Sequence, residues 1–496
     1  MPARLPREAL EATGAERRRQ AGSTWATPGA CFRRKSAPRD AREHAAVTGP
    51  SRDLEIVPSP RLDCLDGSVR RALLFDHAAS TPPLQGVVDA VAAFLPWYGS
   101  VQRGAGRVSE VSTAAVAGAR RAVLEFVAAR EDQIAIFVRN ATEAINLFAA
   151  ALPRGSRVLS SRYEHHANML PWRSRHEVEL LPFVAGPVEL LDATEHALHA
   201  ARGSIDLVAI TGASNVTGET WPLAQLAELA HAHAAELFVD AAQLAPHRAI
   251  DISATGIDHL ALSGHKLYAP FGAGALVARR ERLDHVAPLL QGGGAVDAVG
   301  VADVRWADSP RRHEAGTPNL VGVVALGAAC DLLAGASMPL IAAAERTLGE
   351  RLRRGLDAIE GVRRLQSWPD GSTDVVGTTT FVVDGWRSDL IAAALSAEHA
   401  ISVRSGRFCA HPLVDELTGR VGRGGGRAVR ASVGLASSAD DVETFLTALA
   451  DLIEHGPRFG YRDDPGVGRP VPVRDTRAWP QLPIRLGDQR RPSDGV

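Results

Sequence analysis

The chain has 496 residues, enough for one large core or two, and it is 45% hydrophobic and 23% charged with a formal net charge of −2. So even a balance leaves no electrostatic footprint for nucleic acid or an anionic membrane surface. The four cysteines, Cys31, Cys64, Cys330 and Cys409, are too scattered for a disulfide framework or a zinc site, and a reducing cytoplasm is the expected setting.

Residues 1–70 mix Arg, Pro, Ser and Gly with little periodicity, which predicts a disordered N-terminal extension. Glu8, Glu11, Glu16, Asp40 and Glu43 argue against an organellar transit peptide. Short apolar runs then alternate with helical patterns. Strands are predicted at 72–76, 134–138, 157–161, 178–183, 206–211, 236–240, 259–263 and 274–278. Between most of them lie Ala/Leu/Arg segments with 3.6-residue spacing, such as STAAVAGARRAVLEFVAAR. The alternation predicts an α/β fold, a mostly parallel sheet with helices on both faces. The run 321–344 carries Asp331 and breaks at Pro339, so it reads as soluble helices and not as a membrane span. A large domain over 71–335 and a smaller α+β domain over 336–457 follow from the change of pattern, and 458–496 reads as a Pro/Arg-rich tail.

In such a sheet ligands sit beyond the C-terminal ends of the strands. Four polar clusters fall there: NATEAIN after 134–138, EHHAN after 157–161, GASNVTG after 206–211 and GHK after 259–263. Only two of the 55 basic residues are lysines, Lys35 and Lys266, and Lys266 closes the last cluster. A primary amine can lose its proton in a desolvated pocket and attack an aldehyde, whereas a guanidinium cannot. Asp240 ends an apolar strand, where a carboxylate needs a cationic partner such as a protonated pyridine nitrogen. Ala141 and Thr142 open a helix whose free N–H groups suit a phosphate. His165 and His166 offer imidazoles that can stack on a ring or carry protons. Cys409 lies in a Gly-flanked loop beside Arg404 and Arg407, and Arg430 offers a fork for a carboxylate. Taken singly, each also fits a plain role: surface lysine, turn-capping carboxylate, ordinary N-cap, polar histidine pair, small core cysteine, surface arginine.

Together these residues resemble the class V aminotransferase family of pyridoxal-phosphate enzymes (fold type I), most of all its SUF-type cysteine desulfurase and selenocysteine lyase branch. The resemblance runs from LLFDHAASTPP to about residue 455, through ATEAINL, EHHAN, SNVTG, VDAAQ, SGHKLYAPFGAGAL, GGG, EAGTPN, RSGRFCAHP and RAS, in that order. It implies that Lys266 binds pyridoxal 5'-phosphate covalently and that Asp240 pairs with its ring nitrogen. It implies that Gln243 and Asn215 contact the ring hydroxyl and that His165 stacks on the ring. Ala141, Thr142, Ser263 and His265 then surround the phosphate, with Thr317 reaching in across a homodimer interface. Arg430, with Ala78 and Asn215, would hold the substrate, and Cys409 would take sulfur from L-cysteine as a persulfide and release L-alanine. A sulfur-acceptor protein and a role in iron–sulfur cluster assembly belong to the same expectation. The chain departs from the SUF-type pattern with VQRGAG in place of VHRGIH, putting Gln102 where a histidine is usual. Asn140 and Ala141 stand where glycine and threonine are common. Substrate choice therefore stays open among cysteine, selenocysteine and another amino acid. A C–S lyase, transaminase, epimerase or idle scaffold on this fold is also open.

Overall fold

A computed structural model describes residues 54–422 and 426–480. Its central sheet has seven strands: β1 (Gln133–Val138), β2 (Arg157–Ser161), β3 (Glu177–Leu181), β4 (Leu207–Thr211), β5 (Glu236–Asp240), β6 (His259–Ser263) and β7 (Gly274–Arg279). Their order is β1-β7-β6-β5-β4-β2-β3. Only β7 runs against its neighbours, and β2 through β6 pair in parallel. The central strands are apolar on both faces because each face is covered. Alternate side chains part accordingly: Ala135 and Phe137 of β1 join one cluster, Ile134 and Ile136 the other.

One turn of this sheet needs a missing side chain. A Cβ on Gly274 would lie 2.6 Å from the Leu262 carbonyl oxygen and 2.7 Å from Asn140 Cα, so only glycine lets β7 start this close to the turn after β1. Gly274→Ala is expected to destabilise the fold by about 1–3 kcal/mol, the usual cost of overpacking. A melting temperature equal to that of the wild type would show that the turn yields freely.

The apolar run after residue 320 forms two helices, Leu320–Gly335 and Met338–Asp357, with Pro339 in the first turn of the second. They meet at 83°, and among the described residues no single helix is long and apolar enough to cross a membrane. Beyond them lies a second, antiparallel sheet of β8 (Val362–Leu365), β9 (Thr378–Val383), β10 (Arg404–Gly406) and β11 (Ala428–Ser432), in the order β8-β9-β11-β10. Helix Ala439–His455 closes this layer. A capping box starts it, Asp441 N–H donating to Ser438 Oγ and Ser438 N–H to the Asp441 carboxylate.

Residues 73–81 join the two sheets. Leu73–Leu74 pairs in parallel with Ile401–Ser402, and Phe75 packs on Phe445 at 4.9 Å between ring centroids. Six residues on, Thr81 N–H donates to the His265 carbonyl beside the central sheet. Asp76 is thereby set between the two layers.

Both chain ends carry more order than their composition predicts. Residues 54–70 do not belong to a disordered extension: Arg61–Asp63 pairs with Val69–Arg71, Cys64 is buried, and Leu65 N–H donates to the Ala397 carbonyl. The expected loose tail also holds a hairpin, Tyr461–Asp464 against Arg469–Pro472, with the Tyr461 hydroxyl on Glu398 at 2.9 Å. Residues 1–53 and 481–496, with the rest of those two expectations, lie outside the described residues, as do 423–425.

Candidate active site

A cavity of about 340 Å³ opens at the C-terminal edge of the parallel strands. It gathers Ala78, Ala141, Thr142, His165, Asn215, Asp240, Gln243, Ser263, His265, Lys266, Cys409 and Arg430, all of the expected site residues except Thr317. Thr317 is exposed and does not line this cavity.

The floor comes from β5 and β6. Asp240 is 5% exposed, accepts a hydrogen bond from Ala242 N–H at 3.0 Å, and has no ion-pair partner among the described residues. Burial holds it above the ordinary carboxylate range, against the Ala242 N–H and the nearby Lys266 charge. Lys266 follows β6 on a single 3-10 turn and donates to Gln243 Oε1 at 3.4 Å. Burial pushes its pKa down to about 8, with Asp240 opposing and Arg430 assisting. A larger share of molecules therefore carries a neutral amine there than at a solvated lysine.

Histidines stand neutral over this floor. His165 Nδ1 accepts from Ala167 N–H at 3.0 Å, which leaves the ring proton on Nε2. Burial, then Lys266, pushes its pKa down to about 3, so it carries no charge at neutral pH. His265 is lowered in the same way by burial and by Lys266. Beneath His165, Glu164 accepts from Ser161 Oγ, Asn168 Nδ2 and Thr211 N–H, and burial pushes it up to about 8.

The anion end is the start of helix Ala141–Ala151. Asn140, where glycine is usual, serves as N-cap for Glu143 N–H at 3.0 Å. Ala141 N–H donates to Ser263 Oγ at 2.8 Å, which ties the helix start to the end of β6. The positive helix terminus, Thr142 and Ser263 then share one side of the cavity.

The roof comes from the second sheet. Arg430 on β11 is 2% exposed; Nη1 donates to the Asn215 carbonyl and Nη2 to Asp76, each at 2.9 Å. Its Nε is buried without a partner. Cys409 sits between β10 and helix His411–Arg420, exposed at the cavity mouth. Phe408 and Cys409 both take left-handed backbone angles, φ 51° and 54°, which non-glycine residues adopt only when held. Two bonds hold them. Asn215 Nδ2 donates to the Phe408 carbonyl at 2.8 Å, and His166 N–H to the Cys409 carbonyl at 2.7 Å. The Phe408 ring also lies under the Arg430 guanidinium at 5.1 Å. The neighbouring arginines do not face the thiol unpaired: Arg404 pairs with Asp76 at 3.2 Å and Arg407 with Asp415 at 3.2 Å.

Sequence reasoning passed over Asp76 and Phe408. Asp76 lies inside the LLFDHAAS motif, but its partner is 354 residues away; Phe408 is masked by the cysteine beside it.

The donor set suits pyridoxal 5'-phosphate. A carboxylate buried with no ion-pair partner among the described residues, an amine of lowered pKa, a helix start for an anion and an unpartnered buried Arg430 Nε are complementary to its ring nitrogen, aldehyde and phosphate and to a substrate carboxylate. A family model described as aminotransferase class-V matches residues 73–445. A Klebsiella pneumoniae protein named cysteine desulfurase is 34% identical over 388 residues, covering 75% of this chain and 91% of that protein. A Vibrio cholerae protein named probable cysteine desulfurase is 32% identical over 389 residues, covering 76% and 93%. The apo structure of a cysteine desulfurase from Thermococcus onnurineus superposes with a TM-score of 0.70 at 30% identity, over 77% of this chain and 95% of that one. With the motifs, the sheet and the cavity in agreement, the chain belongs to the class V aminotransferase family of pyridoxal-phosphate enzymes.

Proposed function

We propose that the protein is a cysteine desulfurase, in which Lys266 carries the cofactor and Cys409 accepts sulfur. The observation that carries this reading is the exposed Cys409 thiol held at the mouth of the cavity that contains Lys266, Asp240 and Arg430. Similarity to proteins named cysteine desulfurase over three quarters of the chain supports it.

Bound pyridoxal phosphate supplies an electron sink for charge developing at the substrate α-carbon. The chain's own residues do the rest. Asp240 keeps a proton on the ring nitrogen, and the helix start at Ala141–Thr142 with Ser263 and His265 holds the phosphate. Arg430 orients the substrate carboxylate, using its unpartnered Nε beside the Asp76-bound end of the fork. Lys266 Nζ takes and returns the α-proton, with His165 Nε2–H as the second proton carrier. Cys409 Sγ, as thiolate, attacks the substrate sulfur; the C–S electron pair returns to the substrate carbon, which takes up a proton. The balance is cysteine plus enzyme thiol giving alanine plus enzyme persulfide. Thr317 completes the phosphate site of a second copy in a homodimer. A soluble acceptor protein in the cytoplasm, feeding iron–sulfur cluster assembly, then removes the sulfur.

Incubation of the purified protein with L-cysteine, scoring alanine, pyruvate and protein-bound sulfur together, tests this. Alanine matched by sulfane sulfur supports it; pyruvate with ammonia points to a C–S lyase that makes no use of Cys409. Arg430→Lys keeps the charge but loses the fork, and the KM for L-cysteine is expected to rise about tenfold to a hundredfold with kcat changed much less. An unchanged KM removes Arg430 from substrate binding.

A further inference from the structure

Behind Lys266 a buried chain of polar groups runs out of the cavity. Gln243 Oε1 faces Lys266 Nζ at 3.4 Å, and its other end, Nε2, lies 3.3 Å from His247 Nε2. His247 Nδ1 meets Glu345 Oε2, on helix Met338–Asp357. Glu345 Oε1 in turn accepts from Arg248 Nη1 at 2.9 Å and Gly377 N–H at 3.0 Å. Gln243, His247 and Glu345 are 3%, 2% and 5% exposed, so no solvent can satisfy a group left facing the wrong way.

In such a chain each donor dictates the next. The carboxylate of Glu345 can only accept, so a singly protonated His247 carries its proton on Nδ1 and leaves Nε2 bare. Bare Nε2 can only accept, so Gln243 turns its NH2 toward it and its oxygen toward Lys266. We propose that Glu345 and His247 are positioning residues that set, through the Gln243 amide, which polarity is presented to Lys266 Nζ. With oxygen presented, the ammonium form of Lys266 is favoured; with NH2 presented, the neutral amine that attacks an aldehyde is favoured. The inference rests on the assignment of Lys266 above.

The other charged groups near the relay are accounted for. Arg248 spans Glu345 and Asp374, at 2.9 and 2.6 Å. His77, near His247, is pushed down to about 4 by burial and stays neutral. Against burial, which raises it, the hydrogen bond from His247 and the Arg248 guanidinium hold Glu345 below the ordinary carboxylate range. Around Lys266 stand Asp240, Arg430, Cys409 and Arg404, none of which touches Gln243 or His247 by hydrogen bond or ion pair.

The test is Glu345→Gln in the full-length chain. Arg248 and Gly377 keep the new amide oxygen, so its NH2 faces His247 Nδ1, the ring proton moves to Nε2, and Gln243 turns its NH2 to Lys266. With pyridoxal 5'-phosphate as probe, the pH midpoint for the appearance of the visible absorbance band is expected to fall by about one unit, a tenfold change in proton affinity. A midpoint that stays put or rises in folded E345Q overturns the relay. Independently, the nitrogen NMR shifts of His247 in the wild type are expected to report Nδ1–H with a bare Nε2; an Nε2–H tautomer, or a ring protonated on both nitrogens, overturns the relay whether or not the variant folds. Were the Lys266 assignment wrong, the wild type would keep its absorbance band in Lys266→Ala, a failure that leaves the tautomer result to decide the relay alone.

Discussion

Lys266→Ala is expected to yield folded protein with no covalently held pyridoxal phosphate and turnover lowered by about a thousandfold or more, the range for losing both the point of attachment and the proton carrier. The physical reason lies in the nitrogen. Arginine meets almost every other need for positive charge in this sequence, but its guanidinium never becomes a nucleophile at neutral pH. Burial makes the amine available by pushing Lys266 down to about 8. The direction sets a pH signature. Cofactor attachment should rise with pH through about 8 and level off above it, since the protonated form dominates below. Borohydride reduction followed by peptide mapping is the check: the label belongs on the peptide containing residue 266. A label elsewhere, or a K266A variant that still fixes the cofactor, ends the assignment. Lys266→Arg should behave like the alanine variant despite its charge, which separates loss of the amine from loss of a cation.

Cys409→Ala should keep the visible band and the fold while losing the persulfide, with alanine release down by at least about a hundredfold, as befits a nucleophile. The variant separates the two halves of the chemistry because Cys409 makes no side-chain hydrogen bond with the floor residues. Its backbone, held through the carbonyls of Phe408 and Cys409, stays in place when Sγ is removed. Mass spectrometry of the intact protein after L-cysteine should show one added sulfur in the wild type and none in C409A. Turnover unchanged in C409A would remove the desulfurase reading and leave a pyridoxal-phosphate enzyme that uses Lys266 and Arg430 alone.

Much of this site was legible in the sequence because it is written locally. Each strand of the parallel sheet is a short apolar run, and the chemistry sits in the few residues after it, so Asp240, Lys266 and the Ala141–Thr142 turn could be placed from spacing. The reversed strand β7 was not legible: its apolar pattern is that of its parallel neighbours, and direction depends on the connection. Pairings across hundreds of residues were equally hidden. Nothing near Arg430 signals that Asp76 will bind its fork or that Phe408 will lie under it. The hairpins at 61–71 and 461–472 were not legible because their strands are only three or four residues long and rich in Arg, Asp and Pro. They are held by residues 397 and 398 of helix Ser388–His399, a tertiary support that composition cannot carry.

The placement of Asp76 has a consequence for which amino acids can enter. One carboxylate oxygen binds Arg430 and the other Arg404, so part of the positive charge in the roof is already matched before any visitor arrives. A zwitterion with a single carboxylate meets an unpartnered donor, Arg430 Nε, and a compensated field around it. An amino acid with an acidic side chain would bring a second negative charge toward Asp76 and Asp240. A visitor with a neutral side chain is therefore expected to enter more readily than an acidic one.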